Sequence, residues 1–123
     1  MNDNTGPPDP AGAREMLTTE RAETLERLAG LEREFDGIVE AAGAANADDE
    51  HDPEGATIAF EREHVAALRS QAREHVAEID AALRRLDEGG YGICAGCGQP
   101  IAAGRLAARP TATMCVACAS RRA

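Results

Sequence analysis

The residues most able to do chemistry are four cysteines in two C-x-x-C pairs, Cys94-Ala-Gly-Cys97 and Cys115-Val-Ala-Cys118; the sequence has no others. A C-x-x-C brings two sulfurs to one ion from a single tight turn. The pairs are 17 residues apart. That falls within the gap of roughly 15–20 residues expected when four thiolates share one tetrahedral Zn²⁺. Four thiolates fill the coordination shell and leave no open position for a substrate. Cys94, Cys97, Cys115 and Cys118 therefore predict one structural Zn²⁺. Gly98 directly follows the first pair. A glycine there permits positive φ and is expected to aim its N–H at a sulfur.

Other cysteine chemistries fit less well. Disulfides need an oxidising compartment. Residues 1–10 have neither the basic region nor the apolar run of a signal peptide, so a cytoplasmic protein is expected. A redox C-x-x-C is normally single and sits beside a βαβ pattern, which is absent. Because metal binding and folding are linked, residues 89–123 are expected to unfold without zinc.

Composition narrows the rest. Of 123 residues only Tyr91, Phe35 and Phe60 are aromatic, which argues against a broad globular core. No apolar stretch approaches a membrane span, so a soluble protein is expected. The basic residues are all Arg, which reads as coding bias and carries no functional meaning. Residues 1–88 hold all 22 acids and nine Arg, a net −13, while residues 89–123 hold four Arg and no acid. An overall charge of −9 disfavours DNA, whose affinity comes from neutralising phosphates, and favours a basic protein surface.

The cysteines must be positioned by helices. Residues 1–10 carry three prolines and little to bury, and read as a disordered tail. From about Ala11 the pattern is helical. Leu28, Leu31, Phe35, Ile38 and Ala42 recur at alternating steps of three and four, the seam of a coiled coil. Leu17 and Leu25 continue it upstream less strictly. Asp52 followed by Pro53 reads as a helix N-cap with proline at the first helical position. A second stripe runs through Val65, Leu68, Ala72, Val76, Ile79, Leu83 and Leu86, and Gly89-Gly90 ends it. Asp80–Arg84 and Glu23–Arg27 are spaced as i,i+4 pairs. The fold expected is mainly α: a long antiparallel two-helix coiled-coil hairpin over 11–88, with a small C-terminal four-cysteine zinc-finger lobe over 89–123. At ~1.5 Å per residue, arms of roughly 32 residues make a hairpin about 48 Å long.

The turn of that hairpin, at 46–56, holds Asp48, Asp49, Glu50, Asp52 and Glu54. A solvated turn whose acids suit the macrodipole of the following helix accounts for such a cluster. A tip presented to a remote basic or Mg²⁺-containing site also accounts for it. His51, His64 and His75 have no ligand spacing with the cysteines, and read as solvent-facing or seam-edge residues. Tyr91, Ile101, Leu106 and Met114 are expected to form the core of the lobe, and Phe35 and Phe60 to fill the coil. No Ser-His-Asp set, phosphate loop or aromatic nucleic-acid platform is visible.

Three segments carry a family resemblance. Tyr91-Gly-Ile-Cys94-Ala-Gly-Cys97-Gly-Gln-Pro-Ile101, Arg105-Leu-Ala-Ala-Arg109-Pro110 and Cys115-x-x-Cys118 resemble the zinc finger of the DksA/TraR family. Asp52-Pro-Glu-Gly-Ala-Thr-Ile-Ala-Phe60 resembles its hairpin tip and second helix. The resemblance implies a non-enzymatic transcription regulator that binds bacterial RNA polymerase. Such proteins insert the coiled coil through the secondary channel toward the active-site Mg²⁺ and alter initiation, often together with ppGpp. They do not bind DNA sequence-specifically, and a monomer is expected. By the same resemblance Asp52, Glu54 and Ala56 at the tip meet the partner. The family's active tip reads Asp-x-x-Asp-x-Ala, and His51, Glu54 and Ala56 stand at those positions. Arg105 and Arg109 could dock the lobe on the hairpin's acidic base or touch a partner. The competing readings are transcript cleavage with Mg²⁺ held at the tip, a zinc-finger adaptor that does not act on polymerase, and a DNA-binding finger.

Overall fold

A computed structural model of the chain describes residues 9–45 and 53–122. It contains α1 (Pro10–Ala45), α2 (Pro53–Glu88), α3 (Ala103–Ala108) and α4 (Val116–Arg122). The two long helices pack together and the cysteines follow them, so the mainly α hairpin-plus-finger fold holds. Residues 1–8 and 46–52, with His51 and Asp52, lie outside the described residues, as does the cap expected of Asp52.

The start of α1 shows the same Asp-Pro device. Asp9 accepts the Gly12 N–H on its Oδ2 at 3.3 Å, and Pro10 opens the helix at a position where no N–H is needed. The end of α2 is set by glycine. Gly89 adopts φ +83°, a conformation that side chains with a Cβ resist. Gly90 N–H then reaches back to the Arg85 carbonyl at 2.9 Å and Gly89 N–H to Leu86 at 3.3 Å, a Schellman closure.

The chain divides into two compact units, one of Met1–Arg21 with Ala77–Ala123 and one of Ala22–Val76. In the first, Leu17, Ile79 and Ala82 are fully buried between α1 and α2, with Leu83, Leu86 and Tyr91 packed on them. Burying a Leu or Ile side chain contributes about 1.5–3 kcal/mol, so Leu17 and Ile79 are the main apolar anchors of the helix pair here. Arg14 pairs with Asp87, and Arg21 with Asp80 at 2.7 Å. Partner numbers rise on α1 as they fall on α2, so the helices run antiparallel. In the second unit Arg73 pairs with Glu32 at 2.9 Å, and the Arg69 guanidinium lies 4.0 Å over the Phe35 ring, again antiparallel. These pairs are largely solvated and contribute little energy, but they mark the register.

The predicted seam is mostly right, with three exceptions, of which one is Leu68 on α2, 36% exposed. Leu28, Leu31, Phe35, Ile38 and Ala42 are all half-buried. Leu25, however, is 38% exposed, and Thr24 is buried at 2% in its place. Thr24 lies seven residues after Leu17 and four before Leu28, which is the true heptad position; its hydroxyl hides it from a search for apolar residues. Phe60 does not fill the coil: it is 78% exposed on α2. Asp80 turns across the hairpin to Arg21, so Arg84 acts on it only as a nearby charge.

The Arg21–Asp80 contact gives a pH prediction. Asp80 is held below the usual carboxylate range, first by the Arg21 hydrogen bond, against which burial works, and then by the charges of Arg21 and Arg84. A depressed folded pKa gives stability that is present above the unfolded carboxyl's ~3.9 and is lost as pH falls through the lower folded value. The melting-temperature gap between the wild type and Asp80→Asn is therefore expected to narrow on acidification from about pH 5 toward pH 3. A gap that stays constant or widens contradicts this.

Candidate metal centre

The four cysteines come together on two short turns. After α2, Gly92 and Gly98 take φ +84° and +76°. Cys94 N–H donates to the Gln99 carbonyl at 2.8 Å, Gly98 N–H to the Cys94 carbonyl at 2.9 Å, and Ile101 N–H to Gly92 at 2.7 Å. These bonds fold Cys94–Cys97 into a tight loop. The second pair begins just before α4 and ends within it. Ala95 N–H donates to the Thr113 carbonyl at 2.8 Å and ties the two turns together.

The resulting geometry fits a metal. The four Sγ atoms lie within 4.8 Å of one another. All four cysteines are free, and Cys97 and Cys115 Sγ are 3.9 Å apart. Zn–S bonds of ~2.3 Å place tetrahedral sulfurs about 3.8 Å apart. The residues present thus suit one zinc ion, which when bound joins the two turns and has a purely structural role.

The electrostatics point the same way. The Cys94 thiol is lowered to about 6, chiefly by the Cys115 N–H it accepts at 3.2 Å, with Gly96 N–H at 3.3 Å adding to this against burial. For Cys118 the Arg121 hydrogen bond pulls down, but the sulfurs of Cys115, Cys94 and Cys97 outweigh it and push the thiol up to about 11. Sulfurs this close repel one another as anions. A divalent cation among them is what allows all four to ionise.

Gly98 does have positive φ, but its N–H goes to the Cys94 carbonyl. The backbone donors to sulfur include Gly96, Cys115 and Cys118 N–H, the last to Cys115 Sγ at 3.4 Å. Gly96 is the glycine that the site requires for space. A Cβ there would lie 3.0 Å from Met114 Cε and 3.1 Å from Cys118 Sγ. Gly96→Ala is expected to displace the Cys118 sulfur and weaken zinc binding about tenfold or more in chelator competition, the scale on which mutations at groups supporting a ligand act. An unchanged affinity would show that the loop yields freely.

The lobe's core is Cys94, Ile101, Leu106, Ala112 and Cys118, with Tyr91, Met114 and Cys115 packed against it. Tyr91 also touches the Leu17–Ile79–Ala82 cluster and donates its hydroxyl to the Pro110 carbonyl at 2.8 Å. Arg105 is half-buried and held within the lobe. Its Nε donates to the Met114 carbonyl at 2.7 Å, which fixes the residue before Cys115. The Arg109 side chain is exposed and lines a groove of about 380 Å³ together with Glu78, Arg85 and Arg105. At the other predicted site, Glu54 lies in the first turn of α2 and Ala56 is exposed on it, while Asp52 lies outside the described residues. His64 is exposed and His75 half-buried, both remote in sequence from the cysteines. Among the described residues no helix is long and apolar enough to cross a membrane.

A two-helix hairpin followed by a four-cysteine metal centre defines the class: a C4 zinc-finger protein with a helical hairpin. Comparison with known proteins then specifies it. Residues 89–122 match the family model of the prokaryotic dksA/traR C4-type zinc finger. The RNA polymerase-binding transcription factor DksA of Caulobacter vibrioides is 52% identical over 48 residues, which are 39% of this chain and 34% of that protein. General stress protein 16O of Bacillus subtilis is 32% identical over 90 residues, covering 72% of this chain and 55% of that protein. The transcription factor DksA2 from Pseudomonas aeruginosa superposes with a TM-score of 0.77 at 28% identity, covering 92% of this chain and 81% of that one. Residues 89–122 are thus a C4 zinc finger of the DksA/TraR type. The chain spans only about a third to a half of the length of these sequence relatives.

Proposed function

We propose that this protein binds bacterial RNA polymerase and regulates transcription initiation, with the end of its helical hairpin inserted into the polymerase's secondary channel. The observation that carries this reading is the match to DksA2, which extends over both long helices and the finger and covers 92% of this chain. The relative from Caulobacter vibrioides is named for binding RNA polymerase. The charge pattern supports the same reading. All acids lie in residues 1–88 and the net charge is −9, which suits a basic protein surface and suits DNA poorly.

In this reading the protein acts as a monomer and without catalysis of its own. Zinc serves the lobe's fold. Asp52, Glu54 and Ala56 work near the polymerase's active-site Mg²⁺, and Arg105 and Arg109 lie on the partner-facing side of the lobe. The alarmone ppGpp modulates the effect, and DNA is not read by sequence. The test is direct binding to purified polymerase at micromolar protein, with and without a competitor that occupies the secondary channel. Binding that the competitor abolishes is expected. No binding, or binding indifferent to the competitor, contradicts the proposal and leaves the adaptor reading in its place.

A further inference from the structure

We propose that Arg121 is a positioning residue of the zinc centre: its guanidinium holds the Cys118 sulfur and offsets the charge that the four thiolates leave on the metal.

The sulfurs differ in how they are held. Cys94 Sγ accepts two backbone N–H groups, from Gly96 and Cys115, at 3.3 and 3.2 Å. Cys115 Sγ accepts the Cys118 N–H at 3.4 Å. Cys118 Sγ takes no backbone donor among the described residues and instead accepts Arg121 Nη2 at 3.2 Å. The helix makes this possible, since Arg121 follows Cys118 by three residues on α4 and shares its face.

Cys118 needs such a partner. It is 5% exposed and sits in the apolar cluster with Ile101 and Leu106. A thiolate buried there is costly unless it is paired or hydrogen-bonded. Four thiolates on one Zn²⁺ carry two net negative charges, and a guanidinium against one of them cancels half. Arg105, the other arginine held against this site, spends its Nε on the Met114 carbonyl and not on a sulfur.

The test uses the full chain and its zinc affinity, measured by competition with a chromophoric chelator. Arg121→Gln is expected to bind zinc about tenfold or more weakly, the scale seen when an outer-shell partner is lost. Arg121→Lys is expected to recover part of the loss, because it keeps the charge but not the planar fork. Zinc-saturated wild type and both variants should have the same helix content by circular dichroism. Three results overturn the proposal: an affinity of Arg121→Gln within twofold of the wild type, a loss that Arg121→Lys does not relieve, and a fall in the helix content of zinc-saturated Arg121→Gln.

Discussion

Chelating the metal from the purified protein is expected to release one zinc ion per chain and to unfold residues 89–122, while the helical signal of residues 22–76 persists. The reason lies in the lobe's construction. Its core has only five buried residues, and two of them, Cys94 and Cys118, are metal ligands. Among the described residues it has two helices of six and seven residues and one isolated β-bridge, between Ile93 and Pro100. Segments this short do not hold a helix alone. Structural zinc supplies an apparent ~10–16 kcal/mol in finger peptides, more than this core could replace. Cys118→Ser is expected to act in the same direction. Amide exchange read segment by segment is the measurement, and protection in 89–122 that survives chelation contradicts the expectation. Some loosening should spread to the helix ends around Leu17 and Ile79, because Tyr91 packs on both clusters.

The second large effect is functional. Asp52→Ala combined with Glu54→Ala is expected to abolish the effect of the protein on transcription in vitro while leaving most of its affinity for polymerase. Two carboxylates at the turn of a hairpin can meet a remote cationic site through charge without supplying much contact area, whereas affinity comes from larger buried patches. Loss of an N-cap, the role expected of Asp52 from the sequence, costs only about 1 kcal/mol, small beside the burial along the seam. Transcription assays and binding isotherms on the same preparations separate the two effects. If both fall together, the turn is an anchor and not an effector.

Much of this architecture can be read directly from residue spacing. The cysteine pairs specify their own geometry, because a C-x-x-C leaves few ways to reach one ion, and the four sulfurs do converge. Stepped apolar residues gave the two helices, and Gly89-Gly90 gave the end of the second. What stayed hidden depends on tertiary context. Thr24 occupies a seam position that its polarity disguises, while Leu25 faces outward. Phe60 looks like a core residue by type, yet it projects from α2. Asp80 has an attractive i,i+4 neighbour in Arg84 but finds a better partner across the hairpin in Arg21. Gly96, pressed against Cys118, and Arg121, bonded to its sulfur, depend on how the second pair packs against the first. Neither packing contact leaves a mark in the local sequence.

The most direct test of the functional account places a photo-reactive residue at Ala56, an exposed position of α2 close to the turn. The account predicts that, in the complex with purified RNA polymerase, this residue crosslinks to the large subunits next to the catalytic Mg²⁺, and that blocking the secondary channel abolishes the product. Crosslinks confined to the polymerase's outer surface, or none from a protein that demonstrably binds, would contradict it.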